Sequence, residues 1–173
     1  VDNSVLLIYA DDETAKTNLT KEIVLRGIKP SRLIFAERLS KLEYLARYRL
    51  ADLFLDTLPY NAGTTASDAL RMGLPVLTCM GSSFASRMAA SVINAINLPE
   101  LITSTQEQYE SLAIELATDS EKLKIIKDKL ADNLATAPLY DTPLFTRHLE
   151  SAYSSMYDRY QQGLDPEHIY VEH

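Results

Sequence analysis

The chain alternates between short apolar runs and longer stretches whose apolar residues recur every three or four positions. Val5 to Tyr9 (VLLIY) is a continuous apolar run, the pattern of a strand covered on both faces. Leu19, Ile23 and Val24 share one stripe of a helix predicted over Thr14 to Arg26, which Gly27 and then Pro30 bring to an end. Leu33 to Ala36 predicts a second strand. Ser40 with Glu43 three residues on is a capping box opening a helix over Lys41 to Arg49. Leu53 to Leu55 predicts a third strand, with Asp56 at its carboxyl end. Leu58 to Gly63 breaks regular structure, and Thr64-Thr65 opens a short helix that Gly73 ends. Pro75 to Cys79 predicts a fourth strand, Phe84 to Ala95 a helix, and Leu98 to Ile102 a short final strand.

Regular strand–helix alternation predicts βαβ units on a parallel sheet, an α/β fold with helices on both faces. From about residue 105 the periodicity is helical throughout. Leu123, Ile126, Leu130 and Leu134 keep helical spacing, and Lys122, Lys124, Lys127 and Lys129 between them form a solvated face. Pro138 and Pro143 mark a break. Phe145, Leu149, Ala152, Tyr153, Met156 and Tyr160 then line one face of a last helix, as core or as a docking surface. The expected organisation is an α/β core over 1–104, helices packed on the same domain over 105–161, and a tail over 162–173.

Length and composition narrow the function. The 173 residues are 46% hydrophobic and 24% charged, enough for one domain with its own core. With 17 Lys and Arg against 24 Asp and Glu, the net charge is −7, which argues against a nucleic-acid partner. The one cysteine, Cys79, has no partner for an internal disulfide, which favours a reducing compartment. No apolar run approaches the ~20 residues that span a bilayer, so no membrane association is expected. The opening Val1-Asp2-Asn3 has no basic leader region, and the expected location is the cytoplasm. Without an initiator Met, a processed chain or an excised fragment is expected.

Ligands of parallel sheets gather outside the carboxyl ends of the strands. Those ends suggest a phosphoacceptor receiver domain as one reading. Asp11-Asp12 would hold magnesium, Asp56 would accept the phosphoryl group, and Thr78 would be the switch hydroxyl. A receiver also needs a lysine after its fifth strand, and after Lys41 the next lysine is Lys122, in a helical stretch. This reading ranks second.

The first reading rests on Asn61-Ala62-Gly63-Thr64-Thr65-Ala66-Ser67-Asp68. A loop runs into a helix whose first turn carries two threonines. Free amides at a helix N-terminus hold phosphate, and the two hydroxyls add donors. Asp68, on the same turn, can accept hydrogen bonds from a sugar diol. On local pattern alone the simpler reading is better: Thr64 caps the helix and Asp68 completes the cap.

The wider sequence reverses that order. The stretch LADLFLDTLPYNAGTTASDALRMGLPVLTCMGSSFASRMAAS resembles the carboxyl-terminal catalytic region of the O-GlcNAc transferase and SPINDLY-type protein O-glycosyltransferases. The resemblance runs upstream through SVLLIY and SRLIFAERLSKLEYLARYRLADL, and downstream through LPELI, YESLAIELATD and PLYDTPLFTRHLESAYSSMYDRYQQG. It implies the carboxyl-terminal half of a GT-B glycosyltransferase, with a Rossmann-like parallel sheet and extra C-terminal helices. By the family pattern, backbone groups at Leu39 meet the base, and Lys41 reaches the ribose or diphosphate. Tyr44 and Arg47 flank the base, Gly63, Thr64 and Thr65 hold the diphosphate, and Asp68 holds the ribose hydroxyls. The implied donor is UDP-GlcNAc or GDP-fucose, with GlcNAc ranked first. The implied acceptor is a protein Ser or Thr, and neither a metal nor a cofactor is implied.

Two positions depart from well-studied members, which carry His in place of Gly63 and of Tyr44. Both changes are compatible with nucleotide binding and leave the base and sugar open. The resemblance also implies an amino-terminal catalytic half, tetratricopeptide repeats, and further diphosphate contacts just before Val1, none of which is in this sequence. The chain is therefore expected to be a fragment, inactive alone, with no general base assignable; His148, His168 and His173 are scattered and follow no strand. A non-catalytic nucleotide-binding module is the remaining alternative, and Gly63 is compatible with it.

Overall fold

In the computed structural model, which describes residues 1–171, the apolar runs become parallel strands and the periodic stretches become helices. Strand β1 (Leu6–Tyr9) pairs in parallel with β2 (Leu33–Ala36), Leu6 opposite Leu33 and Tyr9 opposite Ala36. Strands β3 (Phe54–Leu55), β4 (Val76–Cys79) and β5 (Ile102–Thr103) form a second parallel set with β4 in the middle. The sheet is thus two half-sheets, where the sequence pattern had predicted one. His173 lies outside the described residues.

The helices begin where side chains satisfy their free amides. Asp12 caps α1 (Glu13–Leu25) by accepting from the Thr14 and Ala15 amides, which holds its carboxyl below the usual range. Ser40 and Glu43 form the expected capping box on α2 (Lys41–Arg47). That helix ends two residues earlier than predicted, because Tyr48–Leu50 tighten into a 3-10 turn. Helix α3 (Thr64–Arg71) stops at Gly73, whose φ of +82° suits a residue without Cβ. Before α4 (Met88–Ala95), Ala85–Arg87 is a 3-10 turn, so the predicted helix start at Phe84 comes too early. The predicted strand over Leu98 to Ile102 is displaced as well. Pro99, which has no N–H for a ladder, opens a 3-10 turn, and β5 begins only at Ile102. Helices α5 (Gln106–Thr118), α6 (Ser120–Leu134) and α7 (Thr142–Gln161) follow, capped by Thr105, Asp119 and Asp141.

The core lies under β4. Leu70, Val76, Ile93, Ile96, Leu98 and Leu101 are fully buried, and Leu116, Ile126 and Leu130 of α5 and α6 join the same cluster. The lysines of α6 face outward, and Lys127 and Lys129 pair with Asp52 and Glu100. Around β1 and β2 the packing is thinner, and neither α1 nor α2 has a fully buried residue. Helix α7 buries none either. Phe145, Leu149, Tyr153, Met156 and Tyr160 are all exposed, so its apolar stripe is not core of this chain.

Candidate functional site

The best-built feature of the molecule is the loop after β3. Asp56 is only 4% exposed, and its carboxylate fastens the loop to the sheet. One oxygen accepts from the Thr57 and Ala62 amides, each at 2.8 Å, and the other accepts from the Thr78 hydroxyl of β4 at 2.6 Å. Burial pushes the Asp56 carboxyl up, against the lowering effect of those three hydrogen bonds. Asn61 closes the loop from the other side. Its amide group donates to the Thr57 carbonyl at 2.8 Å, and its backbone N–H donates to the Ala85 carbonyl at 3.1 Å. The Thr57 hydroxyl donates to the Tyr60 carbonyl at 2.7 Å. Asp56, Thr57, Tyr60, Asn61 and Ala62, with Phe54, Gly63 and Thr65, line a cleft of about 240 Å³.

The loop delivers the chain to the N-terminus of α3. Gly63 is the N-cap residue and no side chain caps the helix, so the simpler expectation of a Thr64 cap does not hold. The first amides of α3 remain available to an anion, and Thr64 and Thr65 stand exposed beside them.

The second wall comes from the segment after β2. Lys41, in the first turn of α2, places its Nζ 2.8 Å from Asp68 Oδ2 on α3. The lysine side chain is 64% exposed and the aspartate 19%, so the pair opens to solvent on the lysine side. The Tyr44 ring lies beneath two cations, with Lys41 Nζ at 5.0 Å and the Arg47 guanidinium at 5.8 Å from its centre. Arg47 also donates to the Glu37 carbonyl at 2.8 Å, fixing the turn that carries the exposed Leu39. Tyr48 ties the two walls together. Its hydroxyl lies 2.5 Å from that of Tyr44 and 3.4 Å from the Thr65 carbonyl, and burial pushes its phenol far above the ordinary value.

Leu39, Lys41, Tyr44 and Arg47 are therefore grouped on and before α2, and the Lys41–Asp68 pair and the Tyr48–Thr65 contact join this segment to α3, which carries Thr64, Thr65 and Asp68 after Gly63. The receiver constellation is not assembled. Asp12 is used as a helix cap, Asp11 accepts from the Tyr9 hydroxyl at 2.8 Å, and Asp56 is enclosed by its hydrogen bonds. Among the described residues, no group of three or more His, Cys, Asp and Glu comes together as a metal set. Sequence reasoning missed Tyr48, although the Tyr44–Tyr48 spacing of four on one helix was a visible signal. It also missed the structural role of Asp56 with Thr78, which were weighed only as receiver residues.

Comparison with known proteins shows which family the chain belongs to. A family model described as Glycosyl transferase family 41 matches residues 1–149. The UDP-N-acetylglucosamine–peptide N-acetylglucosaminyltransferase of Caenorhabditis elegans is 33% identical over 169 residues, covering 98% of this chain and 15% of the relative. A probable enzyme of the same description from Arabidopsis thaliana, SEC, is 31% identical over 172 residues, covering 99% and 18%. The probable SPINDLY enzyme of Hordeum vulgare is 38% identical over 124 residues, covering 72% and 13%. A solved structure of an O-GlcNAc transferase mutant from Thermobaculum terrenum superposes with a TM-score of 0.85 at 33% identity, covering 92% of this chain and 31% of that one. The chain thus spans less than a fifth of the length of these curated relatives.

Proposed function

The chain belongs to glycosyltransferase family 41, and on that premise we propose that it is the donor-binding part of a protein O-glycosyltransferase. The fold agrees with the carboxyl-terminal half of a GT-B enzyme, an α/β unit with parallel strands and added helices. The observation that carries the reading is the Lys41–Asp68 pair, which joins the segment after β2 to the helix after β3. A nucleotide lying across that junction meets complementary groups along its whole length. Tyr44 and Arg47, with the backbone at Leu39, take the base. Asp68 accepts from the ribose hydroxyls, and Lys41 donates to the ribose or diphosphate. Gly63, Thr64 and Thr65 offer amides and hydroxyls to the diphosphate at the N-terminus of α3.

The chemistry of this half is electrostatic. Charge grows on the diphosphate as the sugar leaves, and the Lys41 ammonium and the α3 amides lie where they oppose it. Gly63 brings a backbone N–H without a side chain, and Tyr44 brings a ring that stacks on a base. The acceptor is a protein Ser or Thr hydroxyl, and the donor is UDP-GlcNAc, ahead of GDP-fucose. The general base and the acceptor groove belong to parts of a longer polypeptide, and residues 1–173 alone transfer no sugar. We place the protein in the cytoplasm, in keeping with a single buried cysteine. No helix among the described residues is long and apolar enough to cross a membrane.

A donor screen on the full-length polypeptide, with UDP-GlcNAc and GDP-fucose in parallel, tests the reading. Sugar transfer to protein Ser or Thr from UDP-GlcNAc is expected. Nucleotide binding without transfer from either donor would make the protein a non-catalytic nucleotide-binding module.

A further inference from the structure

The two helices that carry the candidate site are held by different means. Helix α3 is set in the core by Ala66, Ala69 and Leu70, all fully buried. Helix α2 carries Lys41, Tyr44 and Arg47 and has no buried residue. A tyrosine on so lightly packed a helix changes rotamer unless its neighbours restrain it. Lys41 and Arg47, the cations over the Tyr44 ring, lie on the same helix and give it no anchor in the core. Tyr48, one turn on and just past the end of α2, does. The rings of Tyr44 and Tyr48 meet edge to face, with centres 5.2 Å apart and planes at 71°. Tyr48 in turn packs against the core, its ring centre 6.3 Å from that of Phe54 in β3. Tyr48 thus links Tyr44 to the core.

The hydroxyls give that link a direction. The Thr65 carbonyl can only accept, so the Tyr48 hydroxyl, 3.4 Å away, donates to it. The Tyr48 oxygen is then left to accept from the Tyr44 hydroxyl, at 2.5 Å. Each phenol proton is committed to a protein acceptor, and the relay runs from Tyr44 through Tyr48 to α3. Burial pushes the Tyr48 phenol far above the ordinary value, so the relay keeps its protons throughout the neutral range.

We infer that Tyr48 is a positioning residue for nucleotide recognition, holding the Tyr44 ring in the orientation in which it receives the base. The inference rests on the donor-site reading above and adds to it a residue that acts only through Tyr44. Stacking gains most from a ring already in place, because the entropy of immobilising it is then lost on folding and not on binding. The hydroxyl is the part of Tyr48 that can be tested alone, since removing it spares the ring and its contact with Phe54. Its effect falls on the base end of the ligand. Helix α3, whose first amides face the diphosphate in that reading, is anchored by its own buried residues and does not depend on Tyr48.

The test is calorimetric titration of the full-length polypeptide with UDP, GDP and inorganic pyrophosphate, as parent, Tyr48→Phe, Tyr44→Phe and the double variant. Tyr48→Phe is expected to weaken binding of the nucleotide that the parent takes by about two- to tenfold, the range for one immobilised side chain. Pyrophosphate binding is expected to be unchanged, and the melting temperature to stay within a few degrees of the parent. In the Tyr44→Phe background, Tyr48→Phe is expected to change nucleotide binding no further, because the hydroxyl pair is already gone. Parent-like nucleotide binding by Tyr48→Phe overturns the inference. Equal losses for nucleotide and pyrophosphate also overturn it, since Tyr48 would then support the whole site. A loss that persists in the Tyr44→Phe background overturns it too, since the Tyr48 hydroxyl would then act without Tyr44. A parent that binds neither nucleotide overturns the donor-site reading itself, and this inference with it.

Discussion

Lys41 and Asp68 are 27 residues apart in the chain and 2.8 Å apart in space, the lysine opening α2 and the aspartate lying in α3. The pair is exposed on the lysine side, so solvent screens it and its worth to the fold is about 0–1 kcal/mol. Lys41→Ala is therefore expected to leave the melting temperature of the protein within a few degrees of the parent, as thermal denaturation will show. A large loss of stability would make the pair a structural strut in place of a ligand-binding one.

Asp56 predicts a particular pH dependence. Burial raises its folded-state pKa above the unfolded value near 3.8. The folded state then binds this proton more tightly than the unfolded state does. Its contribution is most favourable at pH below the unfolded value and is progressively lost as pH rises through the folded value. Asp56→Asn removes that titration. The melting temperature of the parent relative to Asp56→Asn is expected to fall as pH rises from about 3.5 to 7. A flat difference would mean that the hydrogen bonds from Thr78, Ala62 and Thr57 fully offset burial.

The core beneath β4 sets the mutational landscape. Leu70 is fully buried there, whereas Leu42 of α2 is 81% exposed. Leu70→Ala is expected to cost about 2–5 kcal/mol in chemical denaturation, and Leu42→Ala about 0.5 kcal/mol or less. Equal costs would contradict the placement of the core.

Gly63 tests the loop at close range. Its φ of −108° requires no glycine, and a Cβ would meet only the terminal methyl of Met88, at 3.3 Å. Met88 can turn aside, so Gly63→Ala is expected to cost about 1 kcal/mol or less and to keep nucleotide binding, because the backbone N–H remains. Loss of binding with an intact fold would show that the bare glycine is itself part of the site.

Much of this was legible in the sequence because local rules agreed with tertiary structure. Ser40 and Glu43 announced the start of α2, Gly73 the end of α3, and the alternation of elements the parallel pairing. The opposition of Lys41 and Asp68 was legible only through family resemblance, because residues 27 apart carry no local sign of contact. The open edge of β1 was not legible at all. VLLIY states that a strand wants neighbours on both sides, and nothing in those five residues says whether this chain supplies them. The stripe from Phe145 to Tyr160 was ambiguous for the same reason, since periodicity identifies an apolar face and not what covers it. The two-residue strands β3 and β5 gave too short a pattern for their bounds to be read, and Pro99 shifted the start of β5.

On the proposed reading, the groups around Lys41 and Asp68 hold a nucleoside diphosphate. Calorimetric titration of UDP, with GDP alongside, against the full-length polypeptide and its Lys41→Ala and Asp68→Ala variants tests it most directly. Each substitution removes a charge-assisted hydrogen bond worth about 1.5–3 kcal/mol, so each is expected to weaken binding by about 10- to 150-fold while the fold is retained. Binding unchanged in both variants would contradict the claim and remove Lys41 and Asp68 from the site.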